Sequence, residues 1–509
     1  MLMETDRDAI ALVKELDGLP LALSAAGAYL EHVTTGFADY LRLYKASWLK
    51  LQRTSPRLSS YEDRSLHTTW QITFDRIEQQ NATSAKLLKL WSYFDRQDVW
   101  FELLQHINSA DDEWIQKLTE DELNFNEAVA LLCSFGLVDA DRSQQQFGSR
   151  GYSLHSCVHS WTVFVLNKEW DKGLARLAVT CVASEVRSIN EKDWWLSQRR
   201  LLQHAIRQDL FIADGKVDID GLDWAFHNLA DLYSNQSKLA EAEKMYIRAL
   251  QGSKEALGPD HISTLTTVHN LGMLYANQGK LAEAEKMYIR ALQGYKEALG
   301  PNHTSTLTTV NNLGLLYTDQ GKLAEAETMY IRALQGYKKA LGPNHTSTLT
   351  TVNNLGGLYA EQGKLAEAEK MYVRALQGKE EALGLDHIST LTTVNNLGLL
   401  YAHQGKLAEA EKIYIRALQG YEHALGPDLM SSYIPALFTM FAFGDLFSQT
   451  DRKDAAKTMY TRALSGYTVV RGASSDICKE LEGRLRTLQL AAAETCDDAS
   501  MDSKARELK

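Results

Sequence analysis

"TVNNLG" occupies residues 309–314 and returns at 351–356 and 393–398, and a close copy, "TVHNLG", lies at 267–272. Successive copies are 42 residues apart. A fixed period of this length is typical of arrays built from one repeated supersecondary unit. The sequence therefore predicts a repeat architecture, and the role of the paired asparagines becomes the first question about function.

One unit, Leu307 to Thr348, has the pattern of two helices. Its first half, "TLTTVNNLGLLYTDQ", carries apolar residues spaced by three and four, which is one face of a helix. Gly321 is placed where glycine commonly ends a helix. "KLAEAETMYIRALQGYKKAL" then gives a second helix, and "GPNH" at 342–345 breaks the chain. Because a lone hairpin cannot bury its apolar face, the units must stack.

Six copies of this pattern fill residues 223–470, and the last, from about Leu437, is degenerate and suits a capping repeat. The large–small–large spacing resembles the tetratricopeptide repeat, and the long second helix with its "LGPNH" linker resembles the kinesin-light-chain type of it. The residues that carry the resemblance in one copy are Leu313, Gly314, Tyr317, Ala326, Tyr330 and Ala333.

Four columns vary among the first helices of the four best copies, from the leading leucine of each helix through its glutamine. They lie at offsets of 0, 4, 7 and 8 residues, which at about 100° per residue places them within an arc of about 100°. The first column is His269, Asn311, Asn353 and Asn395; the second is Met273, Leu315, Gly357 and Leu399; the third is Ala276, Thr318, Ala360 and Ala402; the fourth is Asn277, Asp319, Glu361 and His403.

The tetratricopeptide resemblance implies that first helices line a concave surface, so this variable stripe is predicted to line a ligand groove. Drift on a solvated face is the alternative. Drift should also reach Thr308, Thr309, Asn312 and Gln320, whose equivalents do not vary. The first asparagine of each pair is expected to face the groove, where an amide can donate and accept hydrogen bonds. The second is expected to bond within the scaffold.

Two other repeated features suggest sites that the spacing disfavours. Histidines recur in the linkers, but equivalent points of stacked helices are about 8–10 Å apart, whereas zinc needs ligands at about 2.0 Å. Linker hydrogen bonding is predicted for them, and no metal: His261, His303, His345 and His387. The "QGK" triplets lack the spacing and the Ser or Thr of a phosphate loop, so turns are predicted there.

The chain opens with "AIALVKELDGLPLALSAAGAYLEH", a predicted helix, turn and second helix. "GLPLAL" resembles a segment of the NB-ARC type of signal-transducing (STAND) ATPases. That resemblance implies that Pro20 packs near the adenine of a bound nucleotide. The helices expected at 65–77, 84–104 and 126–141, and the strand running into a helix at 152–161, resemble the winged-helix domain that follows the ATPase core in fungal NB-ARC and NACHT proteins.

By that resemblance His155 occupies the position of the histidine that senses the nucleotide phosphates, although Ser156 stands where the family's "MHD" motif has aspartate. The alternative is a packed or capping histidine at a strand–helix junction. No Gly-x-x-x-x-Gly-Lys-Ser/Thr loop occurs in the sequence. The chain is therefore expected to bind ADP or ATP only if an ATPase core outside this sequence is present, and to be an N-terminally truncated product or to rely on a partner.

The predicted fold is mainly all-α: a winged-helix-like helical N-terminal region followed by a tetratricopeptide-repeat α-solenoid. The expected divisions are an ATPase-module remnant, a winged-helix-like domain, a helical linker, six repeats, and a closing helix with a polar, disordered tail: 1–60, 61–168, 169–222, 223–470 and 471–509. A net charge of -11 disfavours nucleic-acid binding. Without a long apolar run or a signal-peptide pattern, a cytoplasmic protein with no membrane span is predicted.

The function predicted from these patterns is that of the protein-interaction and sensor half of a fungal NLR-like signalling protein. The repeats would bind a protein or peptide ligand, and a missing ATPase core would allow self-association. A kinesin-light-chain-like cargo adaptor is the alternative, although no sustained heptad pattern precedes the array. No catalytic residues are predicted.

Overall fold

A computed structural model describes residues 7–16, 19–54, 61–105, 113–141, 148–188, 191 and 194–489. The chain divides into two compact units, Met1–Ala256 and Leu257–Lys509. Gly18 of the predicted opening turn and the predicted polar tail lie outside the described residues. No helix among the described residues is long and apolar enough to cross a membrane.

The regular structure of the first unit, over the residues described, is helical except for one short hairpin. Its helices are α1 (Arg7–Glu15), α2 (Pro20–His32), α3 (Phe37–Thr54), α4 (Tyr61–Gln80), α5 (Ala82–Trp91), α6 (Phe101–Gln105), α7 (Glu113–Thr119), α8 (Glu122–Ser134), α9 (Ser156–Trp161), α10 (Lys172–Ser184), α11 (Trp194–Ala213), α12 (Asp223–Asn235) and α13 (Leu239–Leu257), with a π-helical turn at Thr162–Leu166. The strands β1 (Val138–Ala140) and β2 (Tyr152–Leu154) pair antiparallel.

The predicted passage from strand to helix at 152–161 is confirmed, since β2 leads directly into α9. A mostly buried ion pair joins the hairpin region to α11. The guanidinium of Arg200 donates to both carboxylate oxygens of Asp98 at 2.7 and 2.9 Å, and it lies 4.0 Å from the ring centroid of Trp100. The Asp98 carboxylate also leaves no room for a side chain at position 151, because a Cβ added to Gly151 would lie 2.1 Å from Asp98 Oδ1.

The α12–α13 hairpin is the first repeat, and α12 packs against both α10 and α11. The first unit ends at Ala256, one residue before the end of α13, so it includes the first repeat, whose α12 contacts α10 and α11.

The second unit is a stack of five helical hairpins and a closing helix. Its helices are α14 (Ile262–Asn277), α15 (Leu281–Leu299), α16 (Thr304–Asp319), α17 (Leu323–Leu341), α18 (Thr346–Glu361), α19 (Leu365–Leu383), α20 (Ile388–His403), α21 (Leu407–Met430, kinked at Gly426), α22 (Ile434–Gln449), α23 (Lys453–Arg471) and α24 (476–489). Each second helix packs on the next first helix, and successive first helices also touch.

Each hairpin closes through a glycine on its first helix that meets a tyrosine on its second. A Cβ at Gly314 would lie 2.8 Å from the ring of Tyr330, so any side chain there would displace the tyrosine. The degenerate last repeat keeps this contact between Gly444 and Tyr460. This explains why glycine and tyrosine recur in the five repeats of the second unit, and it confirms the sixth copy.

Candidate functional site

Three of the four variable columns reach the surface of the first helices. Met273 and Leu315 are 37% and 42% exposed, and Gly357 and Leu399 at the matched positions are half-buried. The fourth column is exposed throughout: Asn277, Asp319, Glu361 and His403. We call the second column the apolar row and the fourth column the polar row. They are neighbours on each helix, since they are four residues apart.

The first column differs from the sequence expectation. Asn311, Asn353 and Asn395 are only 5–8% exposed. Asn354 Nδ2 donates to Asn311 Oδ1, and Asn396 Nδ2 donates to Asn353 Oδ1, each at 3.3 Å. At Asn311 and Asn353 the first asparagine of one repeat therefore accepts a hydrogen bond from the second asparagine of the next, whereas Asn395 Oδ1 has no partner among the described residues. Both asparagines hold adjacent first helices together, and the first ones have little surface to offer a ligand.

We call the side-chain hydrogen bonds between asparagines of adjacent first helices the asparagine ladder. His269 is the first residue of this ladder in the second unit. Asn312 Nδ2 lies 3.2 Å from His269 Nε2, and His269 Nδ1 lies 3.0 Å from Thr309 Oγ1, whose hydroxyl donates to Ser305 O. These partners suit a neutral ring that carries its proton on Nδ1 and accepts at Nε2. Burial lowers the pKa of His269 to about 4. Protonation would remove the acceptor that Asn312 uses.

We expect His269→Asn to reduce the acid sensitivity of the fold. An unfolded histidine titrates near 6.5, so the folded state loses stability as the pH falls from about 6.5 toward 4, by about 2 kcal/mol at pH 5. Asparagine is the residue at the three matched positions and does not titrate. Urea denaturation at pH 7.5 and pH 5 measures the difference. An equal loss of stability at pH 5 in both proteins would show that His269 is not responsible.

The invariant positions have structural partners of their own. Glu285 Oε2 accepts from Gln320 Nε2 at 3.0 Å, and its Oε1 accepts from the Tyr317 hydroxyl at 3.3 Å, across adjacent repeats. The same contacts recur at Glu327 and at Glu369. The "QGK" triplets are turns that supply Gln and Lys to these carboxylates, as shown for Lys406 and Glu369 at 3.0 Å.

These partners also revise the argument against drift. The Thr308 and Tyr337 hydroxyls are 2.7 Å apart, and Thr309 is fully buried although the sequence suggested that it was exposed. Contacts within the scaffold therefore explain why these positions are constant. The apolar and polar rows are variable where the scaffold makes no comparable demand, and their case as a ligand surface depends on exposure and chemistry.

The tetratricopeptide-repeat family model matches residues 222–297, 263–339, 305–381 and 389–468. These hairpins are tetratricopeptide repeats. The protein is 30% identical over 276 residues to a "nucleotide-binding leucine-rich repeat (NLR)-like protein" of Hyaloscypha variabilis, which is 51% of this chain and 25% of that relative. This chain therefore spans only about a quarter of the length of that relative.

Two solved structures show partial similarity to the tetratricopeptide-repeat chain. BtubC (BKLC) from P. vanneervenii is 26% identical, covers 45% of this chain and 89% of its own, and has a TM-score of 0.35. A signal transduction ATPase with numerous domains and a tetratricopeptide repeat sensor, from Pyrococcus horikoshii, is 14% identical, covers 95% and 74%, and has a TM-score of 0.43.

The linker histidines of the repeats are helix N-caps. His303 Nδ1 accepts from Ser305 N at 3.2 Å, and His261, His345 and His387 make the same contact. The predicted linker hydrogen bonding is confirmed. Among the described residues, no group of three or more His, Cys, Asp or Glu is arranged to hold a metal ion.

The two residues assigned to a nucleotide by resemblance are both exposed. Pro20 is the first residue of α2. His155 caps α9, with its Nδ1 accepting from Cys157 N at 3.3 Å, which is the geometry that the linker histidines use. His159, in α9, is buried with its Nε2 3.3 Å from Phe94 O, and burial lowers its pKa to about 4. A nucleotide role for Pro20 and His155 stays a prediction.

Two features escaped the sequence interpretation. Lys379 replaces the tyrosine found at 295, 337 and 421, and it is only 3% exposed. Gly357 interrupts the apolar row. Because glycine has no side chain, the Tyr372 hydroxyl lies next to the space that a Cβ at position 357 would occupy. Both differences are visible in the aligned repeats, but their meaning depends on which neighbours surround them.

Proposed function

We propose that the repeats bind a protein or peptide ligand along the apolar and polar rows of the first helices. The observation that carries this proposal is the row of exposed apolar side chains, Met273 and Leu315, beside polar side chains that no scaffold contact occupies. Tetratricopeptide repeats are protein-interaction scaffolds and typically not enzymes, and contact between successive first helices makes this face continuous within the second unit.

A photo-crosslinker placed on each side of the repeats tests the groove. Leu315 lies on a first helix and is 42% exposed, whereas Ile415 lies on a second helix and is 40% exposed. Benzoyl-phenylalanine at 315, in extracts of the cells that make the protein, is expected to give a discrete adduct that is absent with the crosslinker at 415. Equal adducts at both positions, or an adduct at 415 only, would refute binding on the first-helix face.

We further propose that this binding serves an NLR-like signalling protein, with the winged-helix-like region relaying it. The similarity to the Hyaloscypha protein supports the class. Asp98, which pairs with Arg200 of α11, donates its backbone N–H to Ser153 Oγ of β2, so it connects α11 with the β1–β2 hairpin. Sequencing the 5′ end of the transcript tests the nucleotide part. An upstream in-frame phosphate loop would support a switch involving Pro20 and His155, and a message that starts at Met1 would remove it.

A further inference from the structure

The first helices of the second unit carry no lysine or arginine, and His403 is the histidine of their polar row. None of α14, α16, α18, α20 and α22 contains lysine or arginine. Their carboxylates are Asp319, Glu361 and Asp445, of which Asp445 accepts from the Tyr460 hydroxyl and pairs with Arg484. Asp319 and Glu361 make no ion pair or side-chain hydrogen bond among the described residues. Unpaired negative charge on this face favours a cationic partner.

Both carboxylates end their helices, where the helix dipole is itself negative. Partial loss of hydration raises the pKa of Asp319 and of Glu361, and the charge of Asp319 raises the pKa of Glu361 further. The two exposed carboxylates are therefore near enough for the charge of one to act on the other. Neither placement helps the fold, since the helix dipole favours positive charge at this end.

Gly357 forms a notch beside these carboxylates. At the matched positions on the flanking first helices the side chains are Leu315 and Leu399. A Cβ at 357 would lie 3.3 Å from Tyr372 Oη, so this hydroxyl points into the notch. Tyr372 is 5% exposed, and its hydroxyl has no hydrogen-bond partner among the described residues. In the preceding repeat the Thr318 hydroxyl lowers the pKa of Tyr330, but the matching residue for Tyr372 is Ala360, which has no hydroxyl.

The notch therefore combines three chemical features. Leucines flank it along the apolar row, an unpartnered hydroxyl lies at its floor, and Glu361 is close enough that its charge raises the pKa of Tyr372. An aliphatic stem with a cationic, hydrogen-bonding tip satisfies all three. Lysine and arginine have this form, since they bury their methylene groups and keep the charged group at a polar edge.

We propose that the Gly357 notch receives a lysine or arginine side chain of an extended peptide. Its stem lies along the apolar row between Leu315 and Leu399, and its charged group lies against Asp319, Glu361 and the Tyr372 hydroxyl. This inference rests on the proposed groove function and specifies the chemistry of its ligand.

Selection of a displayed library of random 12-residue peptides on the full chain tests the inference. Enriched peptides are expected to share a lysine or arginine. Replacing that residue with norleucine in the synthetic peptide should weaken binding at least tenfold. Gly357→Leu, which installs the residue of the neighbouring repeats, should weaken it equally. Asp319→Asn with Glu361→Gln should weaken it and flatten its dependence on salt, since exposed ion pairs are screened.

A Leu315→Ser variant separates this inference from the groove function. Peptides that lose affinity with Leu315→Ser but bind Gly357→Leu and the doubly neutralised variant unchanged would overturn the basic-residue site and leave groove binding intact. Enriched peptides without a basic residue would also overturn the basic-residue site and leave groove binding intact. Failure to enrich any peptide, or equal binding to Leu315→Ser and to all other variants, would count against both proposals. Matched circular dichroism melts check that each variant is folded.

Discussion

Replacing Lys379 with tyrosine is expected to stabilise the fourth and fifth repeats by about 3 kcal/mol at pH 7. Lys379 Nζ donates to Ser389 O at 3.2 Å and to Thr393 Oγ1 at 3.0 Å, so it has two neutral acceptors. No carboxylate pairs with it among the described residues. Burial lowers its pKa from 10.5 to about 8, because a charged amine is costly to keep at this buried interface.

The surroundings offer Lys379 little compensation. Asp386 pairs with His423, and Glu380 with Arg416, so the nearby acidic groups have other partners. Burial, and then the charge of Lys379, lower the pKa of His387. Tyrosine occupies the matched position in three other repeats, and at Tyr337 it bonds the hydroxyl of Thr308. The substitution should therefore remove a buried charge and restore a contact that the scaffold already accommodates.

The pH dependence gives the sign of the effect. The unfolded chain binds a proton at Lys379 up to about pH 10.5, whereas the folded chain releases it near pH 8. Stability of the native protein should thus rise between about pH 8 and 10.5, by about 2 kcal/mol from pH 7 to pH 9.5. The tyrosine variant should lack this rise.

Hydrogen exchange of α19 and α20 is the suitable measurement, because repeat arrays open locally and a single unfolding free energy describes them poorly. Protection of the matched helices α15 and α16 provides the internal reference. Lys379→Met separates the charge from the aromatic ring and should retain most of the gain. Unchanged protection in both variants at pH 7 would show that the buried ammonium carries no such cost.

The repeat array was accessible to sequence reasoning, because periodicity, glycine breaks and linker composition are local signals. The asparagine ladder was not. Offsets along a helix give the direction of a side chain, but they do not say which sector the next repeat covers. Asn311 and Leu315 are four residues apart on the same side of α16, yet one is buried against Asn354 and the other is exposed. Thr309 was misjudged for the same reason.

In the N-terminal region, too, the sequence predicted local features but not contacts between distant residues. The passage from β2 to α9 was predictable because its pattern is confined to ten residues. The bond between Arg200 and Asp98 spans 102 residues and joins separate elements. No periodicity reports a contact of that kind, and the capping role of His155 was only one of two alternatives that the sequence allowed.

Replacing each of the two adjacent glycines of α18 with leucine should change the stability of the fourth repeat in opposite directions. Gly356→Leu is expected to destabilise the fourth repeat by about 3 kcal/mol or more, because overpacking strains a filled interface. A Cβ there would lie 3.0 Å from Tyr372 Cδ1 and 3.2 Å from Met371 Cβ. Gly357→Leu should stabilise it by roughly 0.8 kcal/mol, because leucine favours a helix more than glycine does.

Thermal melts of the two variants, followed by circular dichroism, make the comparison at constant composition. Gly357 meets only the Tyr372 hydroxyl, at 3.3 Å, and leucine stands at the matched positions 315 and 399. The scaffold therefore does not require glycine at 357, whereas it does at 356. If both substitutions lowered the melting temperature equally, the notch would be a packing requirement of α18. If only Gly356→Leu did, Gly357 would be a residue that lowers the stability of its own helix, as expected where the open space serves a ligand.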